Sequence, residues 1–489
     1  MEKHETPAVS AVMTRRAALK LAGAAIIAGS VTRSEPTDAS PVRPQTRRPK
    51  KVIIAGGGIA GLSCAYELMK RGHDVTVLEA SGHAGGHVRT IHDPLADGLY
   101  ADVGAEHITK PGYDLYWGYV KEFGLTALPY PRRDDVRRWI DGRLYTEDEL
   151  RDPNVLKKFG FNQREIDFLA RHPWNEFPLL YFGPYLDSFK DEYSPFDAGL
   201  NQLDSVSLAD LLRKDGASPA AIDLLGDSFG SALQTIWHAA ILKIRGVPIY
   251  PPKVFRIKGG NQVMTDTFAA KVGERLRLGC PVTGIERGDS GVTVRFREFG
   301  KEKKIEGDFL VCCMSAVMLR EIPVSPDWPE VKGYAIRNMP YYTRARLVFQ
   351  ARTPFWTRDG ISPNLEFGEQ ACSDVWRMAE DVPTSRGLLV GSAAATTTPE
   401  EALAAFRKLY PGKSEDIEQA FVHDWSRDPW AMACETVNYG LGGLTKIWPH
   451  SMEPVGRIHF AGAYTDNLNW GMEAGTRSAN RVAKAIDAA

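Results

Sequence analysis

Cysteine is scarce in this chain of 489 residues. The six (Cys64, Cys280, Cys312, Cys313, Cys372 and Cys434) form no CxxC pair and no Cys/His cluster at zinc-ligand spacing. A disulfide-stapled framework is thereby excluded, and no metal site is predicted. An excess of one charge sign is also missing, since 60 Lys and Arg stand against 61 Asp and Glu. That balance argues against a nucleic-acid-binding surface. No apolar run reaches the length of about 18 residues that a membrane span requires, so no stable span is expected. No Ser/His/Asp constellation suggests hydrolytic chemistry.

What is present is the composition of a globular protein: 43% hydrophobic, 25% charged and 10% aromatic. The length predicts two domains, or one large domain with an insertion. The first fifty residues differ from the rest, with nine basic against four acidic side chains. Thr14-Arg15-Arg16-Ala17-Ala18-Leu19-Lys20 resembles a twin-arginine export signal, and the apolar run Leu21 to Val31 suits its hydrophobic region. The alternative is an ordinary amphipathic N-terminal helix. Thr32 to Lys50, with four prolines and four arginines, reads as a linker. The expectation is export in folded form by the twin-arginine translocase to the periplasm or beyond.

Lys51 to Ala55 is a short β-branched run followed at once by Gly56-Gly57-Gly58-Ile59-Ala60-Gly61, then a helical stretch from Leu62 to Lys70, then Asp74 to Leu78 and Glu79. This predicts a strand–turn–helix–strand unit for a dinucleotide. Gly56 makes the turn, Gly58 lets backbone amides approach a pyrophosphate, and Gly61 permits close helix packing; Ile59 and Ala60 open the helix toward the phosphates. Glu79 stands where a carboxylate accepts ribose hydroxyls.

The continuation, Gly85-Gly86-His87-Val88-Arg89-Thr90, resembles the second glycine motif of the flavin amine oxidase superfamily. The usual pattern there is GGRxxT. Here His87 takes the arginine place, and Arg89 is expected to make the phosphate contact. Cys280-Pro-Val282 resembles the family segment that contacts adenine. Arg457 to Thr465, with Gly462 and Ala463, is similar to RIYFAGExT, and Trp470-Gly471-Met472-Glu473-Ala474-Gly475 resembles the GYMEGA helix. A helix beginning near Met472 would aim its amides at the flavin edge that gains negative charge on reduction. Phe309 to Cys313 is expected to complete the FAD sheet. The resemblance implies an α/β fold: a Rossmann-type FAD-binding domain interleaved with an α+β substrate domain. The expected segments are 1–50 for signal and linker, 51–129, 251–320 and 451–489 for FAD, and 130–250 and 321–450 for substrate. Helical patterns run from Asn162 to Ala170, Leu208 to Lys214 and Pro219 to Phe229.

The same resemblance locates the chemistry. Cys434, within Trp425 to Glu435, falls where covalent members carry a thioether to FAD, although AMACE replaces SGGCY; a buried thiol without that bond is the other reading. The two tyrosines that flank the flavin in monoamine oxidases are replaced by Glu435 and Gly471. Trp470 or Tyr464 would supply one wall, and Glu435 would attract a cationic amine or simply be a solvated carboxylate. Arg346 stands where the family places a lysine near the flavin. His107 replaces the carboxylate-binding arginine of amino-acid oxidases, as a proton acceptor or as a packed histidine. That replacement tilts the expectation toward amines, unless Arg256 or Arg346 serves instead. The substrate-side candidates are thus Arg346, Trp425, Glu435, Trp470 and His107. The expected activity is FAD-dependent oxidation of an amine or amino acid, with O2 as acceptor. A desaturase or dehydrogenase using another acceptor, and a catalytically idle flavoprotein, are the alternatives.

Overall fold

A computed structural model describes residues 48–410, 414–468 and 471–489. The signal-like segment with Arg15 and Arg16, and the candidate Trp470, lie outside the described residues.

Strand β1 (Lys51–Ala55), helix α1 (Ile59–Lys70) and strand β2 (Asp74–Leu78) form where the apolar pattern predicts them. Val52, Ile53 and Ile54 are all buried, as expected of a central parallel strand covered on both faces. β1 pairs in parallel with β2 on one side and with Phe309–Cys312 on the other. Leu276–Arg277 and Ile458–Phe460 complete a five-stranded parallel sheet at its two edges. The sheet thus gathers strands that lie hundreds of residues apart, which is the open α/β architecture that places a ligand at the carboxyl ends of its strands. The C-terminal helix Gly471–Ala488 packs on α1, and Leu62, Leu68, Ala479 and Val482 share one apolar core with Val52 and Ile54.

A second, seven-stranded sheet is mostly antiparallel. Its longest pairing is between Arg344–Ala351 and Gly387–Ala394, and Arg137–Ile140 joins it from far upstream. A helical region over residues 153–244 builds its own core from Phe177, Tyr181 and Trp237. Most of its helices start on side-chain caps that the sequence advertises, and Asn162 and Glu165 form a reciprocal capping box. The helix expected from Pro219 to Phe229 ends earlier, at Leu225. At Gly226 the backbone turns extended, and a Cβ there would stand 2.3 Å from the Ile222 carbonyl oxygen, so the chain leaves the helix.

Candidate active site

One cavity of about 550 Å³ runs from the carboxyl ends of the parallel strands to the second sheet. Its first part is lined by Gly56, Gly58, Ile59, Ala60, Glu79, Gly85, Gly86 and Val282. Helix α1 starts at Gly58 with no side-chain cap, so the amides of its first turn are free to meet an anion. A Cβ built on Gly58 would meet nothing closer than 3.9 Å. The glycine therefore keeps open a cradle that protein atoms leave clear. Gly61 does not line the cavity; it lets α1 close onto the turn, with the Gly56 carbonyl oxygen 1.9 Å from where a Cβ would sit. Glu79 is held in place by the Gly57 amide, which donates to Oε2 at 2.6 Å, and by the Ser81 amide, which donates to Oε1 at 2.8 Å. Each carboxylate oxygen keeps a lone pair for a hydroxyl. Gly462, Ala463, Met472 and Gly475 line the same cavity further on. An uncapped helix start, an open cradle and a pre-positioned carboxylate in this order fit FAD.

Arg89 does not take the phosphate position. His87 and Val88 line the cavity, whereas the Arg89 side chain lies toward His423. Arg89 leads directly into the short strand Thr90–Ile91, and its carbonyl accepts from the Val103 amide at 2.9 Å. His87 instead donates from Nε2 to the Ala433 carbonyl at 2.6 Å and packs against Trp425 at 4.4 Å between ring centroids, the rings tilted by 36°.

The second part of the cavity brings together Arg346, Trp425, Cys434, Glu435 and His107. Trp425 is fixed by its indole N–H, which donates to the Val103 carbonyl at 2.8 Å. Arg346 donates to the Gly104 carbonyl at 3.1 Å and to the Ser392 hydroxyl at 3.0 Å. Cys434 receives the Arg344 amide at 3.3 Å, and burial pushes its thiol up to about 11. Glu435 accepts from the Tyr342 hydroxyl at 3.3 Å, and its Oε1 lies 3.9 Å from where a Cβ of Gly471 would be. These two positions therefore lie side by side in the cavity wall. Burial raises the Glu435 carboxyl above its ordinary value. Tyr464 also lines the wall.

His107 is engaged at both ring nitrogens. Nδ1 lies 2.7 Å from Glu106 Oε1 and Nε2 lies 3.1 Å from Arg133 Nη2. A guanidinium only donates, so Nε2 accepts and the proton sits on Nδ1. Burial keeps this ring below its ordinary pKa, which makes it a neutral relay between Glu106 and Arg133 rather than a free proton acceptor. Arg256 is likewise spoken for: it is buried, paired with Asp381 and bonded to the Tyr100 hydroxyl, and does not line the cavity.

Several lining residues carried no recognisable motif. Arg132 pairs with Glu106 at 3.0 Å and lies 4.0 Å over the Trp376 ring. Arg133 lies 4.2 Å over the Tyr250 ring. Arg344 donates to the Ser373 hydroxyl at 2.5 Å, and Arg346 lies 5.2 Å from the Trp376 centroid. Among the described residues, no carboxylate comes within 4.0 Å of the Arg133, Arg344 or Arg346 guanidinium. Glu106 Oε2 is buried without a hydrogen-bond partner there.

A parallel sheet with a dinucleotide cradle, continuous with a charged and aromatic chamber, defines a flavin-dependent oxidoreductase of the amine oxidase type. The sequence profile described as flavin containing amine oxidoreductase matches residues 59–487, and the chain belongs to that family; its cofactor is FAD. The chain is 25% identical over 476 residues to an L-amino-acid oxidase of Bothrops pauloensis, covering 91% of this chain and 90% of that protein. It is also 25% identical over 479 residues to an L-amino acid oxidase of Cerastes cerastes, covering 91% and 88%. Among solved structures, cyclohexylamine oxidase from Brevibacterium oxydans IH-35A shares the fold with a TM-score of 0.74 at 22% identity, over 90% of this chain and 99% of that one. Putrescine oxidase bound to putrescine aligns with the same TM-score of 0.74 and 22% identity, over 90% and 100%.

Proposed function

We propose that the protein is an FAD-dependent oxidase of an amino acid rather than of a plain amine. What carries the reading is the set of three guanidinium groups (Arg133, Arg344 and Arg346) that line the cavity with no carboxylate within 4.0 Å among the described residues. These cations are half-buried, and the nearby carboxylates Glu435 and Glu106 stand beyond salt-bridge distance of them, so a ligand that supplies an anion is favoured there. A zwitterion does so, and a simple amine does not. Arg344 and Arg346 stand two positions apart on one strand, hence on one face, beside Glu435. They orient the substrate carboxylate, while Glu435 receives the nitrogen end. Trp425, fixed by Val103, and the aromatic Tyr342 and Tyr464 exclude water from the reacting carbon. Bound FAD supplies the redox chemistry: a hydride leaves the carbon bearing the nitrogen, water hydrolyses the imine to a keto acid and ammonia, and O2 takes the electrons to give hydrogen peroxide.

The test is a panel of L-amino acids against cyclohexylamine and putrescine, measuring peroxide and ammonia. Turnover of amines alone would overturn the reading. Anaerobic bleaching of the flavin by an amino acid, with no peroxide on admitting air, would instead indicate a dehydrogenase. Arg346 in place of a lysine is the feature that favours that outcome. For localisation, the proposal is twin-arginine export. Replacing Arg15 and Arg16 by Lys should retain the enzyme in the cytoplasm, because a receptor reads the paired guanidinium groups and not charge alone. Unchanged export of that variant would refute it.

A further inference from the structure

The arginines of the cavity fall into two sets, and an α-carboxylate occupies only one of them. The first set is Arg344 and Arg346, next to Glu435. The second is Arg132 and Arg133, carried by the turn Pro131–Arg133 and facing Glu106, His107 and Tyr250. Arg132 is neutralised by Glu106 at 3.0 Å. Arg133 has only neutral partners: it donates to His107 Nε2 at 3.1 Å and to the Pro251 carbonyl at 2.5 Å, and its buried Nε–H finds no partner among the described residues. Burial pulls this guanidinium below its ordinary value, and Arg132 beside it adds to the shift. Such a cation is stabilised by an anion arriving from the cavity.

The two sets are close. Arg132 lies 4.0 Å from the Trp376 ring centroid and Arg346 lies 5.2 Å from it, so their guanidinium carbons are no farther apart than those two distances together. A molecule of the size of aspartate or glutamate bridges such a span. A large aliphatic or aromatic side chain would supply no anion to Arg133.

We infer that the substrate is an amino dicarboxylate, with its second carboxylate received at Arg133 and Arg132. This rests on the amino-acid reading above and narrows it. Glu106 and His107 are positioning residues in this arrangement. Glu106 orients Arg132, and His107, with its proton on Nδ1, turns its Nε2 lone pair to Arg133. Tyr250 and Trp376 hold the two guanidinium planes by stacking.

Two measurements on the FAD-loaded protein test it. In the first, L-glutamate, L-aspartate, L-glutamine, L-leucine and L-phenylalanine are compared by anaerobic flavin reduction. The acids are expected to be the preferred substrates, and Arg133→Met should reduce the preference for L-glutamate over L-glutamine by about 30-fold, the size of one lost hydrogen bond between charged groups. Faster reduction by L-leucine or L-phenylalanine, or equal losses for L-glutamate and L-glutamine in the variant, overturns the inference and leaves the amino-acid reading standing. Reduction by amines alone overturns both. The second needs no variant: glutarate should perturb the visible spectrum of the oxidised flavin at concentrations where butyrate does not. Equal effects of the two acids would count against a second carboxylate site.

Discussion

Gly61→Ala should separate flavin retention from folding. The added methyl would lie 1.9 Å from the Gly56 carbonyl oxygen, 3.0 Å from its carbonyl carbon and 3.3 Å from Ile54 Cγ2. Carbon and carbonyl oxygen approach no closer than about 3.3 Å in ordinary packing, so α1 and the Gly56 turn must part by more than about 1 Å. The contact is with backbone, and no rotamer change relieves it. Overpacking of this kind costs typically about 1–3 kcal/mol. The movement also carries the uncapped start of α1, at Gly58 and Ile59, away from the cradle. Loss of a ligand held at a hundredfold excess over its Kd removes about 2.7 kcal/mol more. The expected variant is folded but pale, with a Tm several degrees below wild type that no longer responds to added FAD. Absorbance at the flavin band per protein, with circular dichroism melting at two FAD concentrations, reads both terms. Wild-type flavin content with an unchanged Tm would refute the argument that this glycine is there for close approach.

Lys332 is buried, bonded to the Ser451 carbonyl at 3.3 Å and 3.8 Å from the Phe460 ring centroid, and burial lowers it from 10.5 to about 7. A depressed folded pKa means stability that is present above pH 10.5 and is lost as pH falls through 7. Lys332→Met should therefore be more stable than wild type near pH 6–7 by about 2–3 kcal/mol, after about 1–2 kcal/mol of cation–π attraction is given up. Denaturant melts should show that advantage vanish toward pH 10; a constant difference would refute the titration. The Cys434 thiol, pushed up to about 11 and satisfied by Arg344, is a poor source of thiolate, so acid-precipitated protein should release its FAD. A yellow pellet with a flavin-bearing Cys434 peptide would show the opposite. Because burial raises the Glu435 carboxyl, kcat/KM should fall on its acid side as Glu435 takes up a proton, and Glu435→Gln should lose that limb along with about tenfold in kcat/KM. Identical pH profiles would remove Glu435 from the binding of the nitrogen.

The parts of this protein that could be read without a structure are those whose physics is local. A β-branched run, a glycine turn, a helix and a second strand ending in Glu79 act within thirty-odd residues, and the turn dictates both the cradle and the close approach at Gly61. Val282, Gly462 and Met472 sit in segments with the same local grammar, and they line the cavity. The substrate chamber is different. Pro131-Arg132-Arg133-Asp134-Asp135 has the composition of a solvated turn, and nothing in it separates a cavity arginine from a surface one. Trp376, from the central strand of the second sheet, and Tyr250, just after the last helix of the helical region, provide the faces on which these guanidinium groups lie. Arg89 and Arg256 show the converse. Each carries a plausible charge near a recognisable motif, yet Arg89 lies outside the cavity lining and Asp381 occupies Arg256. An arginine side chain is long, and its partner is chosen by packing between segments far apart in the chain. The flavin fold is therefore written in the sequence, whereas the charge pattern that selects the substrate comes into being only when a turn, a strand of the second sheet and two distant loops pack together.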